Sequence, residues 1–334
     1  MKNPRIFDRR KPWLCALLTA CSILSPAHSQ LVPGTMDVHW NEGSKDCIKN
    51  PQTPLQVHRY NAQTFILRQS LCATYEAPFI YLLIGKTKTL LIDTGAVADA
   101  KTMPLAQTVI SLLANGGSSL PLMVVHTHGH LDHRSGDDQF RVLPDVEVVP
   151  TDLESVKSRL GVADWPNGIG RIDLGDRVID VIPTPGHYAS HVAYYDRQTG
   201  LFFSGDFVLP GRLLIEDTGA DVASARRVAE FVEQRPVTYV LGGHIELEDS
   251  GKIFLGTPYH PNERPLQLTK QDLLALSGIA SGFNGFYAKR GMYLLMNQNH
   301  ILILLAVGAI ILLAAIILFL RALWRWLRSP AVAK

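Results

Sequence analysis

His126, His128, His130, Asp132 and His133 fall within the ten residues from Val124 to His133. Neutral imidazole and carboxylate are natural ligands for zinc, and also for iron and manganese. A His-x-His-x-Asp-His run in a tight turn can aim side chains at two neighbouring metals. Side chains of the same types recur singly elsewhere as Asp93, His187, Asp206 and His244, each just after an apolar run. Remote histidines of this kind can complete each coordination sphere, and a carboxylate between two metals can bridge them. One histidine alone is more often structural than a ligand. Four titratable side chains crowded into one turn have no packing purpose.

Such groups need rigid supports. Phe79 to Ile84 and Thr89 to Asp93 read as a hairpin about Gly85-Lys86-Thr87, and residues 104–114 have helical spacing. Leu122 to His126 reads as a short buried strand, Val146 to Val149 as another, and residues 152–160 as a helix capped by Thr151 or Asp152. Arg177 to Ile182 alternates like a strand and runs into Thr184-Pro185-Gly186-His187. His191 to Tyr195 and Leu201 to Ser204 flank a turn at 196–200. A helix over 221–234 and a last strand from Val237 to Leu241 complete the series. Consecutive strand pairs with helices between the groups suggest two mixed sheets packed face to face with helices outside. The polar residues recur where strands end, the usual place for a site on a rigid scaffold.

Thr127-His128-Gly129-His130-Leu131-Asp132-His133, Thr184-Pro185-Gly186-His187, Ser204-Gly205-Asp206 and Gly243-His244 resemble, in this order, the motifs of the metallo-β-lactamase-fold superfamily. Leu91-Ile92-Asp93-Thr94-Gly95 is similar to that family's first motif. The resemblance covers roughly residues 65 to 250 and is specific for fold and metal site, not for substrate. It implies an α/β chain with a four-layer αββα catalytic domain over 65–260. It also implies His128, His130 and His187 on one metal, Asp132, His133 and His244 on a second, and Asp206 as bridge. Asp93 would hydrogen-bond a ligand and fix its orientation. The implied cofactor is zinc, two ions per chain, with iron or manganese as alternatives. His126 has no ligand role in the family pattern and is at best a supporting group.

These metals imply hydrolysis by a hydroxide generated at neutral pH, with Asp132 orienting it and passing a proton to the leaving group. The β-lactam-hydrolysing branch lacks a bridging aspartate where Asp206 stands, and flavodiiron oxidoreductases carry an acidic residue where His130 stands. Pro185-Gly186-His187 followed by His191 resembles glyoxalase II, a thioester hydrolase. The expected activity is hydrolysis of a small ester, thioester or lactone. A mononuclear iron oxygenase of the persulfide dioxygenase type is the alternative from another enzyme class, and β-lactam hydrolysis ranks below both. A non-enzymatic module with a structural metal is disfavoured, because a structural zinc site closes at four ligands. Arg134 and Arg212 could meet a substrate carboxylate, or pair with Asp137 or Glu216. Tyr259 and His260 could reach the pocket or belong to a surface loop.

The two ends of the 334-residue chain differ from its middle. Lys2, Arg5, Arg9, Arg10 and Lys11 precede an apolar stretch from Trp13 to Leu24, the pattern of a signal segment over 1–29. Ala27-His28-Ser29 suits cleavage after Ser29, whereas Leu18-Thr19-Ala20-Cys21 resembles a lipobox that would leave a lipidated Cys21; an uncleaved anchor is a third possibility. An irregular lead-in is expected over 30–64 and a C-terminal extension over 261–300. Ile301 to Leu320 is an unbroken apolar run long enough to span a bilayer core as a helix. Arg321, Arg325 and Arg328, with Trp324 and Trp326, follow it and mark 321–334 as a cytoplasmic tail. The expected location is the bacterial inner membrane, single-pass, with the catalytic domain periplasmic or extracellular. Each basic end contributes about +4 to a total of +2, so the middle carries about −6. An acidic exported domain is a poor partner for nucleic acid and suits a small-molecule substrate. Cys47 and Cys72 could pair there as a disulfide, or remain two buried thiols.

Overall fold

The computed structural model describes Met1 and residues 30–254, 256–291 and 293–328. The expected signal segment, its lipobox and its cleavage site lie outside the described residues, as does the end of the tail.

The first sheet has strand order β1 (Leu55–Asn61), β2 (Thr64–Gln69), β3 (Phe79–Ile84), β4 (Thr89–Ile92), β5 (Leu122–Val125) and β6 (Val146–Val148). Its first four strands are antiparallel; β5 and β6 continue parallel to β4. Three helices belong to this half: α1 (Leu105–Asn115), α2 (Leu131–Arg134) and α3 (Asp137–Arg141). After α4 (Leu153–Arg159), the second half supplies β7 (Gly170–Asp173), β8 (Val178–Pro183), β9 (Val192–Asp196), β10 (Leu201–Gly205), β11 (Arg212–Leu214), α5 (Thr218–Glu233), β12 (Tyr239–Gly242) and β13 (Gln267–Leu268). The second sheet runs β13-β12-β10-β9-β8-β7. The chain continues with α6 (Lys270–Ser281), β14 (Tyr287–Arg290), β15 (Tyr293–Met296) and α7 (Gln298–Leu327), and a small sheet runs β11-β15-β14.

Strand periodicity builds four layers. Phe79, Tyr81 and Leu83 of β3 share one cluster with Ile179, Val181, Tyr194, Leu201 and Phe203 of the second sheet. The alternate residues Ile80 and Leu82 turn the other way, onto Leu105, Val109 and Leu113 of α1. In the second sheet Ala193, Phe202 and Val240 face Ala225, Val228 and Val232 of α5 and Leu273 and Leu276 of α6. Central strands buried on both faces read as continuous apolar runs for this reason. Arg177, buried completely, ties the two sheets together at one end. It donates to Gln63 O at 2.8 Å, Thr64 Oγ1 at 2.8 Å and Asp196 Oδ2 at 2.6 Å.

Several boundaries differ from expectation. The lead-in is irregular only to Pro54, because β1 pairs with β2 along its length. Its half-buried, polar-rich sequence hides the strand. Asp152, not Thr151, caps α4 by accepting from Ser155 N at 3.0 Å. The helix expected at 221 starts at Thr218, where Asp217 accepts from Ala220 N at 2.9 Å. Cys47 and Cys72 sit at disulfide distance, Cα to Cα 5.5 Å. Helix α7 outlasts the apolar run at both ends and is long and apolar enough to cross a membrane.

Candidate metal centre

Five strand ends deliver the polar residues to one edge of the sandwich. Asp93 follows β4, the His126–His133 turn follows β5, His187 follows β8, Asp206 follows β10 and His244 follows β12. Two groups form there. His128 Nε2, His130 Nδ1 and His187 Nε2 lie 3.0 to 3.2 Å from one another. In the second group His133 Nε2 and His244 Nε2 are 3.1 Å apart, and Asp132 Oδ2 lies 3.4 and 3.1 Å from them. Asp206 stands between the groups. Its Oδ1 is 3.4 Å from His133 Nε2 and 3.6 Å from His244 Nε2, and its Oδ2 is 3.6 Å from His187 Nε2.

These spacings suit a metal. Donors about 2.0–2.1 Å from a tetrahedral ion lie roughly 3.3 Å from each other. Asp206 Oδ1 is buried and has no hydrogen-bond partner, a costly state unless a cation supplies one. Burial and then the neighbouring imidazoles push the His128 pKa well down; burial and His187 lower that of His130. Both rings are therefore held neutral, as ligation requires. For Asp132 and Asp206 burial pushes upward, but the His133 and His244 imidazoles outweigh it and keep both carboxylates ionised. Burial opposes a charge on His133 too, yet Asp93 and Asp206 raise its pKa well above normal. His244 is likewise pushed up to about 9 by Asp206 and Asp132 against burial. The second group thus demands positive charge, met here by imidazole protons and equally by a divalent ion in their place.

Backbone and buried partners fix the rings. His133 Nδ1 donates to Asp93 Oδ2 at 2.8 Å, which turns Nε2 toward Asp206. The same carboxylate accepts from Thr127 N at 2.8 Å, and Asp93 itself holds φ of +67°, a strained conformation for a non-glycine residue. His187 Nδ1 donates to Leu214 O at 2.6 Å, and His244 Nδ1 to Glu76 O at 3.0 Å. Gly243 has no room for a side chain, since a Cβ would lie 2.5 Å from Asp206 Oδ1.

Other sequence candidates are engaged elsewhere. His126 Nε2 bonds Asp137 at 2.8 Å and belongs to neither group. Arg134 donates from Nε to Gly129 O at 2.9 Å and so braces the motif loop. Arg212 pairs in two-pronged fashion with Glu246, not with Glu216, at 2.9 and 2.8 Å. His260 is buried against Glu263 (2.9 Å) and stacked on Phe254, inside a network with Arg68; Tyr259 bridges to Gly43 instead. His191 bonds Thr184 Oγ1 at 2.7 Å, and its ring stacks on His128 at 5.0 Å. Tyr188, which the motifs did not single out, sets its ring edge-on to His130 at 5.0 Å and fills the space beside Gly129. Its one sequence signal is that it directly follows His187. The carbonyls of Leu214 and Glu76 carry no such signal, because any residue type supplies a backbone oxygen.

Fold and site together define a metal-binding domain of four layers with its ligands on strand ends. The family model described as metallo-beta-lactamase superfamily matches residues 74–244, and the chain belongs to that superfamily. An acyl-coenzyme A thioesterase MBLAC2 of Gallus gallus is 26% identical over 209 residues, which cover 52% of this chain and 75% of that protein. A hydroxyacylglutathione hydrolase of Rhodobacter capsulatus is 29% identical over 167 residues, covering 49% of this chain and 62% of the relative. A solved metallo-beta-lactamase from Pontibacter korlensis superposes with a TM-score of 0.47 at 17% identity, covering 69% of this chain and all of that one. The protein is a metal-dependent hydrolase with a His/Asp metal-binding cluster.

Proposed function

We propose that this chain is a dinuclear zinc hydrolase of thioesters, anchored in the bacterial inner membrane with its catalytic domain outside the cytoplasm. The observation that carries the dinuclear reading is Asp206, whose two oxygens address the two ligand groups separately. His128, His130 and His187 would hold one ion, and Asp132, His133 and His244 the other. When bound, such ions polarise a carbonyl oxygen and lower the pKa of water to near neutrality. The chain's own residues do the rest. Asp93 and the Leu214 and Glu76 carbonyls lock the ring orientations, so no reorganisation is needed during the reaction. Asp132 is 20% exposed at its side chain and is the most accessible of the four residues of its group. It accepts a hydrogen bond from the attacking water and takes its proton. A departing thiol has a pKa near 8.5 and leaves readily as thiolate, which asks little of that proton donor.

Thioesters are favoured over other esters and lactones by the relatives, one named for acyl-coenzyme A and the other for hydroxyacylglutathione. Helix α7 followed by Arg321, Arg325 and Arg328 supports the anchor and its direction, and the Cys47–Cys72 pair suits an oxidising compartment. The test is turnover by the full-length protein on an acyl-coenzyme A, S-lactoylglutathione, a lactone and a β-lactam, with metal content measured. Two zinc ions per chain and loss of thioester hydrolysis in both His128→Ala and Asp206→Ala are expected. One iron per chain with oxygen uptake, or hydrolysis of β-lactams alone, would overturn the proposal.

A further inference from the structure

A short hydrogen-bonded path joins His187 to the apolar helix α7. His187 Nδ1 is held by Leu214 O, and Leu214 pairs with Met296 where β11 runs beside β15. The next residue, Asn297, is fully buried. Its Oδ1 accepts from His300 N at 2.9 Å and caps α7, while its Nδ2 donates to Glu216 O at 3.1 Å. The amides of Glu216 and Asp217 both donate to Gly186 O at 2.9 Å. Residues 214–217 therefore grip Gly186 and His187 on one side and the first turn of α7 on the other. Adjacent strands lie about 4.8 Å apart, so His187 stands on the order of 10 Å from the start of α7. Among the described residues, site and helix are joined through this hydrogen-bonded path.

Beside this junction lies β14, an edge strand that among the described residues pairs with β15 alone. Phe286 and Tyr287 are 43% and 51% exposed, and Lys289 and Arg290 are exposed as well. His300 Nδ1 donates to Gly285 O at 2.8 Å, and its ring meets Phe286 at 5.6 Å, which fixes this hairpin against the first turn of α7. Aromatic rings gather at a membrane–water interface, and basic groups are drawn to anionic headgroups within a Debye length. Exposed aromatics and cations, placed where an apolar helix leaves its domain, match such a surface in both respects.

We infer that the β14–β15 hairpin docks on the anionic phospholipid headgroups of the bilayer that α7 enters, and so holds the metal centre at the membrane surface, where it takes thioesters whose acyl chain lies in the bilayer. The substrate half of this inference rests on the thioester reading above; the docking half does not.

The test uses the full-length protein in vesicles of phosphatidylcholine with and without phosphatidylglycerol. Amide hydrogen exchange over Tyr287–Arg290 is expected to slow several-fold only when phosphatidylglycerol is present, and Lys289→Glu with Arg290→Glu should abolish the slowing. Turnover of a vesicle-resident long-chain acyl thioester, relative to a water-soluble short-chain one, should rise several-fold with phosphatidylglycerol and fall back in the double variant. An unchanged short-chain rate shows that the variant is folded. Equal exchange in both vesicles, or a turnover ratio indifferent to lipid charge while the short-chain thioester is cleaved, overturns the inference. Slowed exchange without hydrolysis of either thioester would support the docked surface and sink the thioester reading instead.

Discussion

Gly243 offers the sharpest test of how the site is packed. An added Cβ would lie 2.5 Å from Asp206 Oδ1 and 2.7 Å from His133 Cε1, where ordinary contact begins near 3.4 Å. In Gly243→Ala, Asp206 must therefore retreat by roughly 0.9 Å and His133 by about 0.7 Å, because a close-packed interior does not absorb the overlap. Asp206 Oδ1 is only 3.4 Å from His133 Nε2, so a shift of that size takes it out of the shared ligand sphere. Disturbing the support of a ligand typically costs about 10- to 100-fold in metal affinity, roughly 1.4 to 2.7 kcal/mol. Gly243 does not have a positive φ, so alanine brings no backbone strain and the damage stays local. Chelator competition on the purified full-length protein reads the affinity, and thermal unfolding with metal removed reads the fold. Gly278→Ala in α6, with nothing within 4 Å, serves as control and should gain up to about 1 kcal/mol. Wild-type metal affinity in Gly243→Ala would refute the placement of Asp206 between the two groups.

Asp93→Asn replaces the carboxylate that accepts from His133 Nδ1 and should weaken metal binding about 10- to 100-fold, read by the same competition. Asp196→Asn leaves the wholly buried Arg177 charge without its counter-ion and should cost about 3–5 kcal/mol in denaturant unfolding. Burial, and then the Asp217 carboxylate, push Asp221 up from 3.8 to about 7. A raised acid binds its proton more tightly when folded, so this stability is full below pH 3.8 and drains away as pH rises to about 7. Asp221→Asn should thus be near neutral in acid and raise Tm at about pH 8 by the equivalent of a few kcal/mol; an equal effect at both pH values would contradict the assignment. The Cys47–Cys72 link closes a separation of 25 residues, and reducing it should cost roughly 3.5 kcal/mol, seen as a lower guanidinium midpoint with reductant.

The candidate ligand set stands out in the sequence because metal ligation restricts residue type at each position. The His128–His133 turn and the distant His187, Asp206 and His244 are conspicuous after apolar runs, and all seven meet in space. Their β strands were readable for a related reason: burial on both faces forces near-continuous apolar runs such as Phe79 to Ile84. Several elements without that double burial were missed, although β6, which has no buried residue, was read from Val146 to Val149. β1 has one buried residue in seven, β14 has none, and β13 is two residues long. Arg212 was expected to meet a substrate carboxylate or its sequence neighbour Glu216, yet its carboxylate is Glu246, brought in by the turn after β12. An ion pair between residues distant in sequence leaves no periodicity to detect.

The C-terminal extension takes on a different character once His187 is considered as a ligand with two ends. Its Nε2 faces the motif histidines, but its Nδ1 is claimed by Leu214, a carbonyl on a strand that among the described residues pairs with β15 alone. A three-residue strand does not hold its position unaided. β11 does so because Met296, Asn297 and Glu246 engage residues 212–216 from outside the motif set. The residues that make the metal site recognisable and those that make it rigid therefore come from different parts of the chain. The second set ends in α7, so under the proposed anchoring the orientation of the site at the membrane and the precision of the site would share the same hydrogen bonds.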